Sequence, residues 1–427
     1  MTLYRRIIHS PWVPWRLRHP LERWVETRLV HGHPHWYQRL HFGTWNDPLR
    51  AVTHGPRHHF FGYYDKSPWN APQTLMLCHE VDFNDRPPSA RDEARICVIH
   101  LQEDNRLETI ASTRAWNWQQ GAMLRWHPAD PENTIVFNER QEGALRARVL
   151  SLDTGETRIY GYPVYAIHPD GSEALTLNFA RLATHRPGYG YAGVNDPGED
   201  RVAPGDDGLR LLDLESGDDR LLVSLAELAA YRPHADMADR HHWINHAQYS
   251  PAGERFAFFH LWRRGGTGWG VRLYTMDHDG SHLRLSLDAD FISHYDWLDE
   301  RRLLVWARDP ETGGHFFLLD VLDGNRKIIG PGVLTEDGHP SYSPDRRWIL
   351  NDTYPDVWDM RTLMLFRPDT GRRIDLARTY SPKARWWGEI RCDLHPRWSP
   401  DGRWICIDSV HTGQRQIYVA QIAEYLG

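Results

Sequence analysis

An all-β fold made of repeated units is what the sequence predicts, on three observations. Short stretches rich in Val, Ile, Leu, Phe, Tyr and Trp alternate with turn clusters of Gly, Pro, Asp and Ser. A composite signal, a His or aromatic residue followed by a short strand and then Ser-Pro, recurs at a period of roughly 40–50 residues, the length of a four-stranded propeller blade. Seven such units fit in the 427 residues. The expectation is a seven-bladed β-propeller over residues 51–427 behind a partly helical N-terminal extension, residues 1–50, with a helix near Leu21 to Val30.

The last unit shows the pattern most fully. His395-Pro396 precedes a strand ending at Trp398, and Ser399-Pro-Asp-Gly402 makes a tight turn because Pro400 presets φ and Gly402 accepts φ > 0. A second strand, Arg403 to Asp408, and a third, Arg415 to Ala420, follow. The first unit opens at His58-His-Phe-Phe-Gly-Tyr-Tyr-Asp65, with strands at Thr74–Val81 and Ala94–His100. The second opens at Gln119-Gln120, with strands at Thr134–Asn138 and Ala147–Leu152. The third opens at Pro163, runs through a strand at Ala174–Phe179, and carries an insertion from Arg181 to Gly208 before Leu209–Leu214. A loop that long within a repeat is as a rule either functional or disordered. The fourth, fifth and sixth open at Asn245, Ser293 and Gly338, and their later strands are Val271–Met276, Phe316–Val321 and Thr362–Phe366.

Composition narrows the function. Hydrophobic residues make up 41% and charged residues 25%, as in soluble globular proteins. The net charge of −7, with scattered basic residues, argues against nucleic acid as a partner. Four cysteines without CxxC spacing suggest reduced thiols. No apolar run reaches the ~18 residues of a membrane span. Pro11, Pro14, Arg16 and Arg18 break up the N-terminal segment, so it reads as no signal peptide, and a cytoplasmic location is expected. Its basic, Trp-rich character allows peripheral contact with an anionic membrane, or simple packing on the domain.

The 20 Trp and 26 His are in excess. Equivalent positions of a propeller converge on the central channel, and His246, His294, His339 and His395 share one such position in four successive units. Four imidazoles around one channel repel on protonation unless a metal or carboxylates accommodate them.

Trp243-Ile-Asn-His-Ala-Gln-Tyr-Ser-Pro251, Ser293-His-Tyr-Asp-Trp297 and Asp393-Leu-His-Pro-Arg-Trp-Ser-Pro-Asp-Gly402 resemble motifs of the seven-bladed propeller polysaccharide lyases. The similarity is to the oligogalacturonate lyases and, more loosely, the ulvan lyases, and is best over residues 240–420. It implies His246 as catalytic base and His294 as ligand of a divalent metal. The family's His-Pro-His is here Asp393-Leu-His395, and its Gln stands at Ile390, so Asp393 and His395 are the remaining candidate ligands, with Glu389 or His339 in place of the Gln, for Mn²⁺, Ca²⁺ or Zn²⁺.

β-Elimination on a uronate needs a base for the C5 proton, an acid for the leaving oxygen and a cation on the carboxylate. The insertion offers Arg181 and Arg186 as carboxylate grips, and Tyr189 and Tyr191 as stacking groups or proton donors. The alternative within the loop is that its arginines pair with Asp196, Glu199 and Asp200. His59, Tyr63, Tyr64, Gln120, Arg140 and His242 are further candidates for substrate contact, although the 58–65 cluster also reads as first-blade core. The sequence thus points to a lyase acting on a uronate-containing poly- or oligosaccharide. Its rival is a non-catalytic propeller that binds glycan or protein through the same face.

Overall fold

In blades 1, 4, 6 and 7 a Ser-Pro turn closes the first hairpin and so turns the repeat into a blade. In the last blade the Ser399 hydroxyl accepts from Trp404 N at 3.0 Å and donates to Asp401 at 2.6 Å, while Gly402 takes φ +70°. Ser343 repeats the device with Trp348 N (2.9 Å), and Ser250 with Arg255 N (3.1 Å). The computed structural model describes residues 48–266 and 268–426. The expected N-terminal helix and membrane-facing arm lie outside them. None of the described helices is long and apolar enough to cross a membrane.

Seven four-stranded antiparallel sheets form the ring. Their innermost strands are His58–Phe60, Arg125–His127, Ala166–Ile167, His242–Tyr249, Phe291–Trp297, Ser341–Tyr342 and Arg397–Trp398. In blades 1 to 6 the strands run outward in chain order. Blade 7 differs: its outermost strand is Arg50–Ala51, which pairs with Val419 and Tyr418. The start of the described chain therefore completes the last blade and closes the ring.

Both faces of each blade are packed, so strand positions that alternate in sequence are buried on both sides; Ile405, Cys406 and Ile407 all lie inside. The tryptophan excess goes mainly into this packing, with Trp116, Trp118, Trp243, Trp262, Trp297 and Trp348 fully buried. Among the described residues Trp387, 64% exposed, is the one tryptophan that stands open to solvent. All four cysteines are free and buried.

The third blade departs from the sequence expectation. Its second strand stops at Thr176, and a helix, Phe179–His185, begins where the strand was expected to continue. Asn178 causes the switch, since its side chain accepts from Ala180 N and Arg181 N as a helix N-cap.

A buried ion pair holds the first and last blades together. Arg397 Nη2 lies 2.9 Å from Asp408 Oδ2, and Asp408 also accepts from Phe61 N (3.1 Å) and Gly62 N (3.3 Å). Arg397 in turn donates to the carbonyls of Tyr63 (3.0 Å) and Gly62. Gly62 is required here, because at φ +131° a Cβ would sit 2.8 Å from the Gln120 carbonyl oxygen. Replacing Asp408 by Ala leaves the Arg397 charge buried and unpaired. The expected cost is about 3–5 kcal/mol, read as a lowered midpoint in denaturant unfolding.

Candidate active site

One position of the repeat builds the site. Tyr63, His246, His339 and His395 each stand four residues before the serine of a Ser-Pro pair, and Met123 and Val164 four before the histidine of a His-Pro pair. His294 holds the same place in blade 5, four before Leu298. In blades 4 and 5 a β-bulge falls there: the register shifts between Asn245 and Gln248, and between Ile292 and Tyr295. Bulges turn side chains out of the ladder and are common beside functional sites. His246 and His395 also adopt left-handed backbone, φ +53° and +43°, which is unfavourable for a residue with a Cβ.

The result is a continuous cluster of rings. His246 stacks on Tyr63 at 5.1 Å between centroids, with Tyr63 Oη 3.3 Å from His246 Nε2. Tyr189 meets the same imidazole edge-on at 5.5 Å. His294, 6.0 Å from His246, lies 4.1 Å from His339, which lies 4.5 Å from His395. Tyr64 packs beside His294 and His339, and its hydroxyl donates to the Tyr295 carbonyl at 2.8 Å. Tyr354 approaches His339 at 5.6 Å.

Burial governs the charge state. It lowers the His246 pKa well below 6.5, and the neighbouring His294 and Arg186 add to the effect. His395 is pushed the same way by burial and then by His339, and His294 is lowered by burial and His339. These imidazoles are therefore neutral near pH 7, as a base or a metal ligand requires.

Two cations face this cluster. Arg391 donates to Tyr189 Oη at 2.8 Å and to Asp393 Oδ2 at 2.6 Å. Arg186 lies over the rings of Trp269 (4.1 Å) and Tyr189 (4.8 Å), and no hydrogen bond or ion pair engages its guanidinium among the described residues. A half-buried arginine held by π faces and left without an anion is a ready carboxylate receptor.

His339, Asp393 and His395 bring one ligand atom each within 4.8 Å of one another. His339 Nδ1 is bound to Asp352 at 2.8 Å and His395 Nδ1 to the Gly62 carbonyl at 2.8 Å. That leaves both Nε2 atoms buried without a partner, the arrangement in which outer hydrogen bonds orient metal-ligating histidines. Burial pushes the Asp393 carboxyl up, but Arg391 and Arg361 outweigh it and hold the group well below 3.8. Asp393 Oδ1 lies 2.7 Å from Arg361 Nη2 without hydrogen-bond alignment, so a lone pair on it stays available. The three residues fit a divalent cation with nitrogen and oxygen preference. His294 belongs to the ring cluster but not to this ligand group; its Nδ1 is 2.8 Å from Ser293 Oγ and 3.5 Å from Asp337.

Several residues singled out in the sequence lie elsewhere. Arg181 is buried in a structural knot, donating to Asp196 (2.9 Å) and to the carbonyls of Gly198, Arg201, Val202 and His242. It holds the insertion to blade 4 and has no donor left for a substrate. Tyr191 stacks on Phe179 at 4.5 Å and meets Asn138 Nδ2 at 3.0 Å, within the core. His242 pairs with His260 (2.8 Å) inside blade 4, and His59 with Gln416 (2.8 Å) and Glu80 (3.1 Å). Arg140 ties the insertion to a loop of blade 1 through the carbonyls of Ala192 and Ala90. Gln120 acts one step removed: it donates to Tyr165 Oη (2.7 Å), which donates to Asn245 Oδ1 (2.9 Å) and accepts from His246 N (3.0 Å). Sequence reasoning missed Arg391 and Arg361. It also missed that Tyr63 occupies the histidine position, which counting back from Ser67-Pro68 reveals.

No family model and no curated protein matches the chain. Solved structures do. An oligogalacturonate lyase from Vibrio parahaemolyticus superposes with a TM-score of 0.62 at 13% identity, covering 89% of this chain and 94% of that one. An oligogalacturonate lyase in complex with manganese gives 0.62 at 14% identity, covering 87% and 92%. TolB from Acinetobacter baumannii reaches only 0.39, at 17% identity, over 71% of this chain and 63% of that one. At these identities the likeness establishes the fold: this chain is a seven-bladed β-propeller similar in architecture to the oligogalacturonate lyases.

Proposed function

We propose that the protein is a lyase that cleaves a uronate-containing glycan by β-elimination, with His246 as the base. One observation carries this reading: a buried, neutral imidazole on left-handed backbone at a bulge, flanked by the Tyr63 hydroxyl and the edge of the Tyr189 ring and faced by an arginine without an anion. Arg186 takes the substrate carboxylate, which withdraws charge from C5 and makes its proton acidic enough to leave. His246 removes that proton, the C4–C5 double bond forms, and the C4–O bond breaks. Tyr189 gives its proton to the departing oxygen, and the charge left on the phenol is met by Arg391. Tyr63 keeps the imidazole plane in place by stacking and through its contact with Nε2. A divalent metal held by His339, Asp393 and His395 would supply fixed positive charge against the carboxylate. The fold shared with lyases, one of them in complex with manganese, supports both parts of the reading.

The direct test is the ultraviolet absorbance of the unsaturated uronate product on a panel of uronate glycans. His246→Ala should lower kcat by roughly 10²–10⁴-fold, the range of general base catalysis, with folding unchanged. A flat trace for the wild-type chain on every glycan would move the assignment to a binding module.

The pH profile follows from the lowered His246 pKa. The base works unprotonated, so kcat/KM should rise with pH along a limb lying below 6.5 and be level by neutral pH. A limb at or above 6.5 would contradict the burial argument.

The two arginines of the insertion should separate. Arg186→Ala should raise KM with little change in melting temperature, whereas Arg181→Ala should lower the melting temperature, because it opens a buried ion pair worth about 3–5 kcal/mol to break. Kinetics and thermal unfolding of the pair read this directly.

A further inference from the structure

Where the strand Glu173–Thr176 gives way to the helix Phe179–His185, a pocket of about 280 Å³ opens on the third blade. Leu145, Pro163, Leu177, Phe179 and Val194 give it apolar walls, and the ring of Tyr162, 37% exposed, lines it as well. None of its lining residues belongs to the candidate active site.

Four polar groups on these walls have hydrogen-bonding capacity to spare. Thr176 is fully buried, and its hydroxyl has no partner among the described residues. Such a group is costly to bury, which points to a ligand that supplies the missing bond. The exposed amide of Asn195 and the hydroxyl of Tyr162 make no hydrogen bond among the described residues either. Asp207 accepts from Asn178 Nδ2 at 2.9 Å and from Gly208 N at 2.7 Å, one bond to each oxygen, so each keeps a lone pair. Asn178 has nothing left: its oxygen caps the helix, and its Nδ2 serves Asp196 and Asp207.

The charges around the pocket decide what it can hold. Arg201 is paired with Asp206 at 2.6 Å, Arg210 with Asp219 at 2.5 Å, and Asp196 with Arg181 at 2.9 Å. Of the charged lining residues Asp207 alone has no ion pair among the described residues, and burial raises its pKa. An anionic ligand would therefore meet this carboxylate and no free cation. An organic cation would need Asp207 charged, which burial opposes, and a purely apolar ligand would leave Thr176, Asn195 and Asp207 unpaired. A neutral sugar ring presents C–H faces to the apolar walls and hydroxyls that both donate to a carboxylate and exchange bonds with an amide and a hydroxyl.

We propose that this pocket is a saccharide-binding site separate from the candidate active site, taking one neutral sugar ring with Asp207, Asn195 and Thr176 on its hydroxyls and Tyr162 against its face. The ligand follows from the pocket alone and holds whether or not the chain is a lyase.

The test is a saturation-transfer NMR titration of the full chain with glucose, galactose, mannose, rhamnose and xylose, each alone, beside galacturonate and cyclohexylamine. At least one neutral sugar should bind saturably in the millimolar range. Asn195→Ala and Thr176→Val should each raise its Kd roughly two- to tenfold, the worth of one neutral hydrogen bond, while Arg186→Ala leaves it unchanged. Both pocket variants should keep the wild-type melting temperature, because Asn195 is exposed and the Thr176 hydroxyl has no partner among the described residues. The site is overturned if no neutral sugar binds, if either pocket substitution leaves the Kd unchanged, or if Arg186→Ala raises it. Galacturonate or cyclohexylamine bound as tightly, with the same sensitivity to the pocket substitutions, overturns it too.

Discussion

The Arg397–Asp408 pair is the interaction on which the rest depends. A propeller is a closed ring, and its weakest seam is where the last blade meets the first. Here the seam is a buried guanidinium and carboxylate that between them hold the backbone of Phe61, Gly62 and Tyr63. The same backbone carries the site. The Gly62 carbonyl fixes His395 by its Nδ1, and Tyr63 stacks on His246. Closing the ring and orienting two of the site's imidazoles are thus one structural event, reinforced at the periphery by Arg50–Ala51 joining blade 7.

Ring closure explains why chemistry gathers in the channel. Seven innermost strands bring seven equivalent residues together, and four of them are histidines with a tyrosine completing the cluster. In water such a group would titrate near neutrality and repel. Burial and mutual proximity push the pKa values of His246, His294 and His395 down, so these three imidazoles remain neutral. Positive charge is supplied instead by arginines that cannot lose a proton, Arg186 over two aromatic faces and Arg391 between Tyr189 and Asp393. A base without charge beside cations with permanent charge is the combination that proton abstraction next to a carboxylate asks for.

The fold was legible because its signals are local. The Ser-Pro and His-Pro turns of six blades need only residues close in sequence, and the period they set places the seventh, so the blades could be counted from the chain. The channel histidines were legible for the same reason, as equivalent positions in a repeat. Side chains whose fate depends on a distant partner were not. Arg181 and Arg186 sit five residues apart in one insertion, yet one meets Asp196 and four carbonyls while the other meets Trp269 from blade 4. Tyr189 and Tyr191 divide likewise, one towards His246 and the other into the core against Phe179. The strand pattern of the sequence continues through Asn178, and its role as a cap shows only in the backbone it turns.

The claim at the centre of this account is that a neutral His246 takes the proton from C5 of a uronate. The most direct measurement is the kinetic isotope effect on kcat/KM with substrate deuterated at C5, followed by mass analysis of both products. The account predicts a primary effect, with deuterium absent from the unsaturated product and the C4–O bond cleaved. Cleavage with no isotope effect and with deuterium retained at C5 would contradict it, and would mean that the glycosidic bond is broken without removal of that proton.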